Sequence, residues 1–183
     1  LGDKTGIDDA RRALGVSNWT HTRLRAAEGL AKHGDASGVP VLKAMAQDPG
    51  FLKKAVDVIG GKEIDYDAMR AAIARSLGRM NLPDAVPVLA TLVADKSEEV
   101  RLAAAYALVG MTDASALEAY GAAMAQDYGR DGERARTPEV VAHLVRMATL
   151  QFGQDPRTKP LLDQAGKSEM ATVRFLALVA GKP

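Results

Sequence analysis

Glu139 and His143 stand four residues apart, so on a helix they share one face. A carboxylate beside an imidazole is half of a metal site or of an acid–base pair. The spacing is not HExxH, and no third ligand is near in sequence. Gly166-Lys167-Ser168 has the ending of a phosphate-binding loop. That loop needs a glycine five residues before its last one, where Leu161 stands, and a strand ahead of it. His21 and His33 fall near helix ends, where imidazoles meet terminal backbone groups. The acidic pairs Asp8-Asp9 and Glu98-Glu99 open helices, and the helix dipole accounts for them. There is no cysteine, hence no thiolate and no disulfide framework. No Ser-His-Asp or Cys-His constellation can be assembled. These residues predict no enzyme, no catalytic residue, no metal and no cofactor.

The elements that carry these residues repeat. Seven, twelve, sixteen and nineteen residues past Arg101 stand Leu108, Asp113, Leu117 and Tyr120. The same steps from Arg23 give Leu30, Asp35, Val39 and Leu42. From Arg70 they give Leu77, Leu82, Val86 and Leu89, and from His143 they give Leu150, Asp155, Lys159 and Leu162. Pro40, Pro87 and Pro160 share one step, early in each second helix, where first-turn N–H groups have no intrahelical partner. Apolar residues at helical spacing, broken by Thr or Asp caps, predict helix-turn-helix units. Four such units in register predict a solenoid.

The reading is an all-α, right-handed α-α superhelix. Whole repeats span 17–48, 65–96, 97–127 and 138–167, with half repeats at 1–16 and 168–183. The half repeats predict a fragment of a longer protein. No polar cap is seen at the N-terminus. The expected core includes Ala27, Leu30, Val39, Leu42, Leu77, Val86, Leu89, Ala104, Leu108, Leu117, Leu150 and Leu162. Two insertions lengthen the spacing between anchors. The one at 49–64 carries Phe51, Leu52, Ala55, Val56 and Ile59 on one helical face and predicts an extra helix. The one at 128–137 has no apolar periodicity and predicts a mobile, exposed loop.

At Met69-Arg70, Val100-Arg101 and Asp84-Ala85-Val86-Pro87-Val88-Leu89 the units resemble HEAT repeats, of the short bacterial kind also found in phycobilin-lyase subunits. The resemblance covers nearly the whole chain. It implies an Arg–Asp ladder between neighbouring repeats, which by position would use Arg23, Arg70, Arg101 and Arg174 with Asp35, Asp113 and Asp155. Leu82 and His143 depart from that pattern, so the ladder is expected to be incomplete.

Charge balances at 24 Lys plus Arg against 23 Asp plus Glu. The second helices 84–94 and 114–126 hold no Lys or Arg. A glycosylase-like or other DNA-binding repeat protein needs a basic face, so nucleic acid is disfavoured as a partner. A lyase-type subunit gripping a tetrapyrrole rests on fold analogy alone. The favoured function is a non-enzymatic scaffold that binds another protein or peptide, since solenoids expose long curved surfaces. One candidate surface is a second-helix stripe of Val41, Val88, Ala119 and Leu161, with Lys43, Thr91 and Asp163 beside it. The other is the second insertion, where Tyr128 stands with Arg130, Arg134 and Arg136, residue types enriched in binding hot spots. No apolar run approaches the ~18 residues of a membrane span. The chain begins at Leu1, so its lack of a signal peptide leaves the compartment open, with the cytoplasm as default.

Overall fold

Ala-rich helical stripes broken by Asp-containing turns dictate short helices that pack closely. The computed structural model describes residues 4–16, 20–48, 65–131 and 134–180. Among them are ten helices: α1 (Lys4–Val16), α2 (Thr20–Ala31), α3 (Gly38–Gln47), α4 (Tyr66–Met80), α5 (Val86–Leu92), α6 (Glu98–Gly110), α7 (Leu117–Met124), α8 (Arg136–Phe152), α9 (Thr158–Ala165) and α10 (Ala171–Ala180). Single 3-10 turns, Pro83–Ala85 and Ala114–Ala116, lead into α5 and α7. The molecule is an all-α, HEAT-like solenoid. The first helices α2, α4, α6, α8 and α10 stack on one another, and the second helices α1, α3, α5, α7 and α9 line the other layer. The stack runs from α2 directly to α4. The helix expected in the first insertion falls outside the described residues.

Ten of the twelve expected core residues are buried. Leu162 is only half-buried, and Leu150 is 66% exposed. The register of α8 is shifted by one residue. Its core stripe is Val141, Leu144, Val145, Ala148 and Phe152. This matches Val100, Ala103, Ala104, Ala107 and Met111 of α6 when Ala142, not His143, takes the place of Arg101. Leu150 then takes the place of Val109, which lies off this stripe and is 7% exposed in α6.

The helices approach closely where side chains are small. A Cβ on Gly78 would lie 2.7 Å from the Ala107 Cβ and 2.8 Å from its Cα, so α4 and α6 touch nearly backbone to backbone. Just beyond, Asn81 ends α4 in the left-handed region at φ 51°. Its amide donates to Thr112 Oγ1 at 2.7 Å, and its Oδ1 accepts from the Thr112 N–H at 2.9 Å. This ties the ends of two repeats together. Between α2 and α4, Glu28 accepts from Ser76 Oγ and from Arg79 Nη2 at 2.6 Å. Burial raises the Glu28 pKa, but these hydrogen bonds outweigh it and hold the carboxyl below its ordinary value.

The expected Arg–Asp ladder is corrected. Asp35, Asp113 and Asp155 sit in the turns inside each hairpin, where each accepts the N–H two residues on, from Ser37, Ser115 and Arg157 at 2.8–2.9 Å. The anchor arginines lie at the opposite end of the first helices. Twelve residues at 1.5 Å rise separate Arg101 from Asp113 by about 18 Å, beyond the reach of one side chain. The arginines bind the turns between repeats instead. Arg70 bonds Asp95, and Asp67 at 2.7 Å. Arg101 donates to the carbonyls of Asp95, Lys96 and Asp127 at 2.8, 3.0 and 2.7 Å. Arg174 donates to those of Ser168 and Glu169, both at 2.7 Å. Arg23 is buried. A ladder exists, but its rungs are mostly carbonyl oxygens.

Two outcomes follow from this packing. Gly78→Ala should lower stability by roughly 1–3 kcal/mol, because overpacking against the Ala107 backbone exceeds the helix-propensity gain of at most about 1 kcal/mol. An unchanged or raised urea midpoint would show that α4 and α6 can part. The second concerns acid. Hydrogen bonds from Ser37 and then Arg11 pull Asp35 down to about 2, and those from Arg157 pull Asp155 down to about 2. A carboxyl depressed on folding stabilises fully above its unfolded pKa of about 4 and loses that contribution as pH falls through the folded value. Urea midpoints should therefore decline between pH 4 and pH 2, and less steeply in the Asp155→Asn variant. A flat profile over that window refutes the assignment.

Candidate protein-binding surface

The second insertion is built around a buried tyrosine. Asp127 accepts the Gly129 N–H at 2.8 Å and the Thr137 hydroxyl at 2.9 Å, and Gly129 takes φ 70° to close the turn. Thr137 Oγ1 in turn accepts the Tyr128 N–H at 2.9 Å. This folds the Tyr128 ring inward. It is 0% exposed and donates its hydroxyl to the Ala123 carbonyl at 2.6 Å. Burial drives its pKa upward. Tyr128 is therefore a staple in the core, not a surface contact, which corrects the expectation. Nor is the segment wholly irregular: Arg130–Asp131 (β1) pairs antiparallel with Arg134–Ala135 (β2). The side chains of Arg130, Arg134 and Arg136 lie outside what the structure describes.

The second-helix stripe is core as well. Val88, Ala119 and Leu161 are buried at 3%, 1% and 9% exposure, and Val41 is half-buried against the core. The cause is stacking: α7 packs on α9, where a Cβ on Gly121 would meet Leu161 at van der Waals distance, 3.5 Å. Lys43, Thr91 and Asp163 are exposed as expected. Asp163 pairs with Lys159 at 3.2 Å.

The remaining chemical candidates also have places. Glu139 is exposed. His143 is half-buried, its ring 6.2 Å from that of Tyr106. Among the described residues no three His, Cys, Asp or Glu side chains group as metal ligands. The amides of Gly166, Lys167 and Ser168 donate to the carbonyls of Leu162, Gln164 and Ala165. They finish α9, so they are not turned toward an anion. His21 and His33 are exposed, next to the start and the end of α2.

What the surface does present was missed by the repeat pattern. The exposed large apolar side chains among the described residues are Tyr106 at 48%, Leu150 at 66%, Phe175 at 63%, Leu178 at 64% and Val179 at 52%. All five belong to first helices, α6, α8 and α10. The signal for them lies in apolar residues that fall off the core stripe, and pattern matching discards those positions. Of the five, Leu178 lines an open groove of about 1270 Å³, with Leu162 and Ala177 on its apolar side and Lys159, Asp163 and Lys167 on its charged side. No described helix is long and apolar enough to cross a membrane.

Comparison with known proteins bears on the fold. A search of curated proteins finds no match. Among solved structures, human deoxyhypusine hydroxylase in complex with glycerol is similar at 17% identity and a TM-score of 0.46, over 97% of this chain and 73% of that one. Residues 64–136 match the family model described as HEAT repeats. That stretch runs from the cap of α4 to the start of α8 and holds the Gly78–Ala107 contact, the Asn81–Thr112 tie and the Arg70 and Arg101 rungs. Over those residues the chain is similar to HEAT repeats.

Proposed function

We propose that this chain is a non-enzymatic scaffold that binds another protein or peptide along its first helices, at α6 and α8. The observation that carries this reading is the placement of Tyr106 and Leu150, both about half exposed or more, on consecutive first helices. Large side chains of this kind sit in water at a cost that a partner relieves, at roughly 25 cal/mol per Å² of apolar surface covered. The aromatic ring of Tyr106 has a further neighbour in His143, so the patch is broader than one side chain. HEAT repeats elsewhere serve as interaction scaffolds, and a solenoid offers such a surface without a pocket. No arrangement of the described residues favours a tetrapyrrole-binding or DNA-binding role.

The test is quantitative capture with the 183-residue chain as bait, beside two variants. Tyr106→Ala with Leu150→Glu should weaken retention of a specific partner at least tenfold, about 1.4 kcal/mol. The variant Arg130→Ala, Arg134→Ala, Arg136→Ala asks whether the second insertion takes part and should bind as the parent does. Both pairs of outcomes are readable, since Tyr106 and Leu150 are exposed and their loss should leave the melting temperature in place. Equal capture by the parent and the Tyr106/Leu150 variant would refute this surface.

A further inference from the structure

The outer face of the first helices carries charge in an ordered row. Asn81 and Thr112 bond each other across α4 and α6 at 2.7 and 2.9 Å, and they stand 31 residues apart. Arg75 and Tyr106 also stand 31 apart, six residues earlier on the same two helices. They are therefore neighbours, and both are exposed. The row continues onto α8, where the His143 ring lies 6.2 Å from that of Tyr106. Arg146 follows three residues past His143, on the same face of α8, and is exposed. Leu150 lies one turn further on.

Tyr106 thus sits between two arginines. Among the described residues neither has a carboxylate partner, whereas Arg79, the next exposed cation on α4, is held by Glu28 at 2.6 Å. Nor does the helix dipole account for them. Arg75 stands five residues inside the end of α4 and Arg146 six inside that of α8, beyond the last turn where a dipole favours a cation. The exposed acids of α6 and α8 stand aside. Glu99 and Glu139 are each seven residues before Tyr106 and Arg146, about 10 Å along the axis. A single extended chain on the row clears them. A nucleic-acid duplex, with a charge every ~1.7 Å of its axis, would set phosphates against both.

We propose that the partner segment is an acidic one, lying across α4, α6 and α8 with an apolar side chain on Tyr106 and Leu150 and a carboxylate on either side, at Arg75 and at Arg146. This rests on the binding surface proposed for α6 and α8 and adds its charge and spacing. Stacked helices lie about 8–10 Å apart, which an extended chain covers in about three residues. The pattern is therefore acid-x-x-apolar-x-x-acid, the same read in either direction. Guanidinium groups accept carboxylates in a two-pronged fork. Exposed charge pairs add little affinity each, so the apolar contact holds the segment and the arginines select it.

NMR titration of the isotope-labelled 183-residue chain with capped peptides tests this. The first peptide is Ser-Glu-Ser-Thr-Leu-Ser-Thr-Glu-Ser. Others replace both Glu by Gln, replace both by Lys, or set the two Glu side by side. At about 10 mM salt the spaced Glu peptide should bind at least about fivefold more tightly than the Gln peptide, with the Lys peptide weakest. The preference should vanish near 1 M salt, where the screening length falls from about 30 Å to about 3 Å. Arg75→Glu with Arg146→Glu should invert the order in favour of the Lys peptide, and circular dichroism checks that this variant is folded. Equal binding of the Glu and Gln peptides, lost in Tyr106→Ala, overturns the acidic assignment and leaves the surface in place. Binding of the Glu peptide that survives Tyr106→Ala with Leu150→Glu overturns the surface itself. The proposal also falls if no peptide binds, if adjacent Glu residues serve as well as spaced ones, or if a short oligothymidylate binds more tightly than the Glu peptide.

Discussion

The fold depends on how closely α4 and α6 can approach. Gly78 against Ala107 removes the side-chain layer that usually separates two helices, leaving near-backbone contact. At that range a methyl group more or less is felt in full, because interiors pack at crystal-like density. The rest of the stack follows the same logic with alanine. Ala27, Ala71, Ala74, Ala104 and Ala105 are all 0% exposed. Small residues let short helices of seven to seventeen residues bury a continuous surface with few aromatics. Such helices are marginal alone and take their stability from this packing.

Close packing fixes the helices' separation but not their ends. The ends are held by a recurrent turn in which an aspartate accepts the N–H two residues on, at Asp35, Asp65, Asp95, Asp113, Asp127 and Asp155. These turns leave carbonyls facing the next helix. Arg101 collects such carbonyls from the Asp95 turn, and Arg174 does the same at a turn opened by Ser168, in identical register, five and six residues back. Charge-assisted hydrogen bonds of this kind exceed neutral ones in strength. The turn is also why Tyr128 points inward. Asp127 and Gly129 close it, Thr137 holds it, and the ring has only the core to enter.

Most of the fold was legible because repetition averages out local accidents. Leu30, Leu77 and Leu108 recur at one step, and each is buried at 0–1% exposure. Where only one copy speaks, the reading slipped. Anchoring the fourth repeat on His143 shifted α8 by one residue, so Leu150 was set against Leu108 when its counterpart is Val109. The ladder was misassigned for a related reason. Spacing shows that Arg and Asp recur together, but not that twelve helical residues set them at opposite ends. The candidate site was barely legible. A stripe that is apolar in every repeat is what stacking requires, so Val88, Ala119 and Leu161 marked the core. A binding surface needs the opposite signal, an apolar residue where the repeat does not call for one.

That signal has a direction along the solenoid. On the earlier first helices the exposed positions are basic: Arg25 and Lys32 by α2, Arg75 and Arg79 on α4. On the later ones aromatic and aliphatic side chains, from Tyr106 and Leu150 to Phe175 and Val179, join exposed charges such as Glu99, Glu139 and Arg146. Arg79 is committed to Glu28 at 2.6 Å, so the earlier surface is partly neutralised, not a phosphate-binding strip. A polypeptide lying lengthwise on the first helices would meet basic side chains at one end and a mixed, more apolar surface at the other. Apolar burial supplies most of the affinity in such contacts, and charges set orientation and encounter rate. The register of the stack converts this into geometry. Each first helix advances the surface by one repeat, so the order of side chains along the chain becomes an order in space.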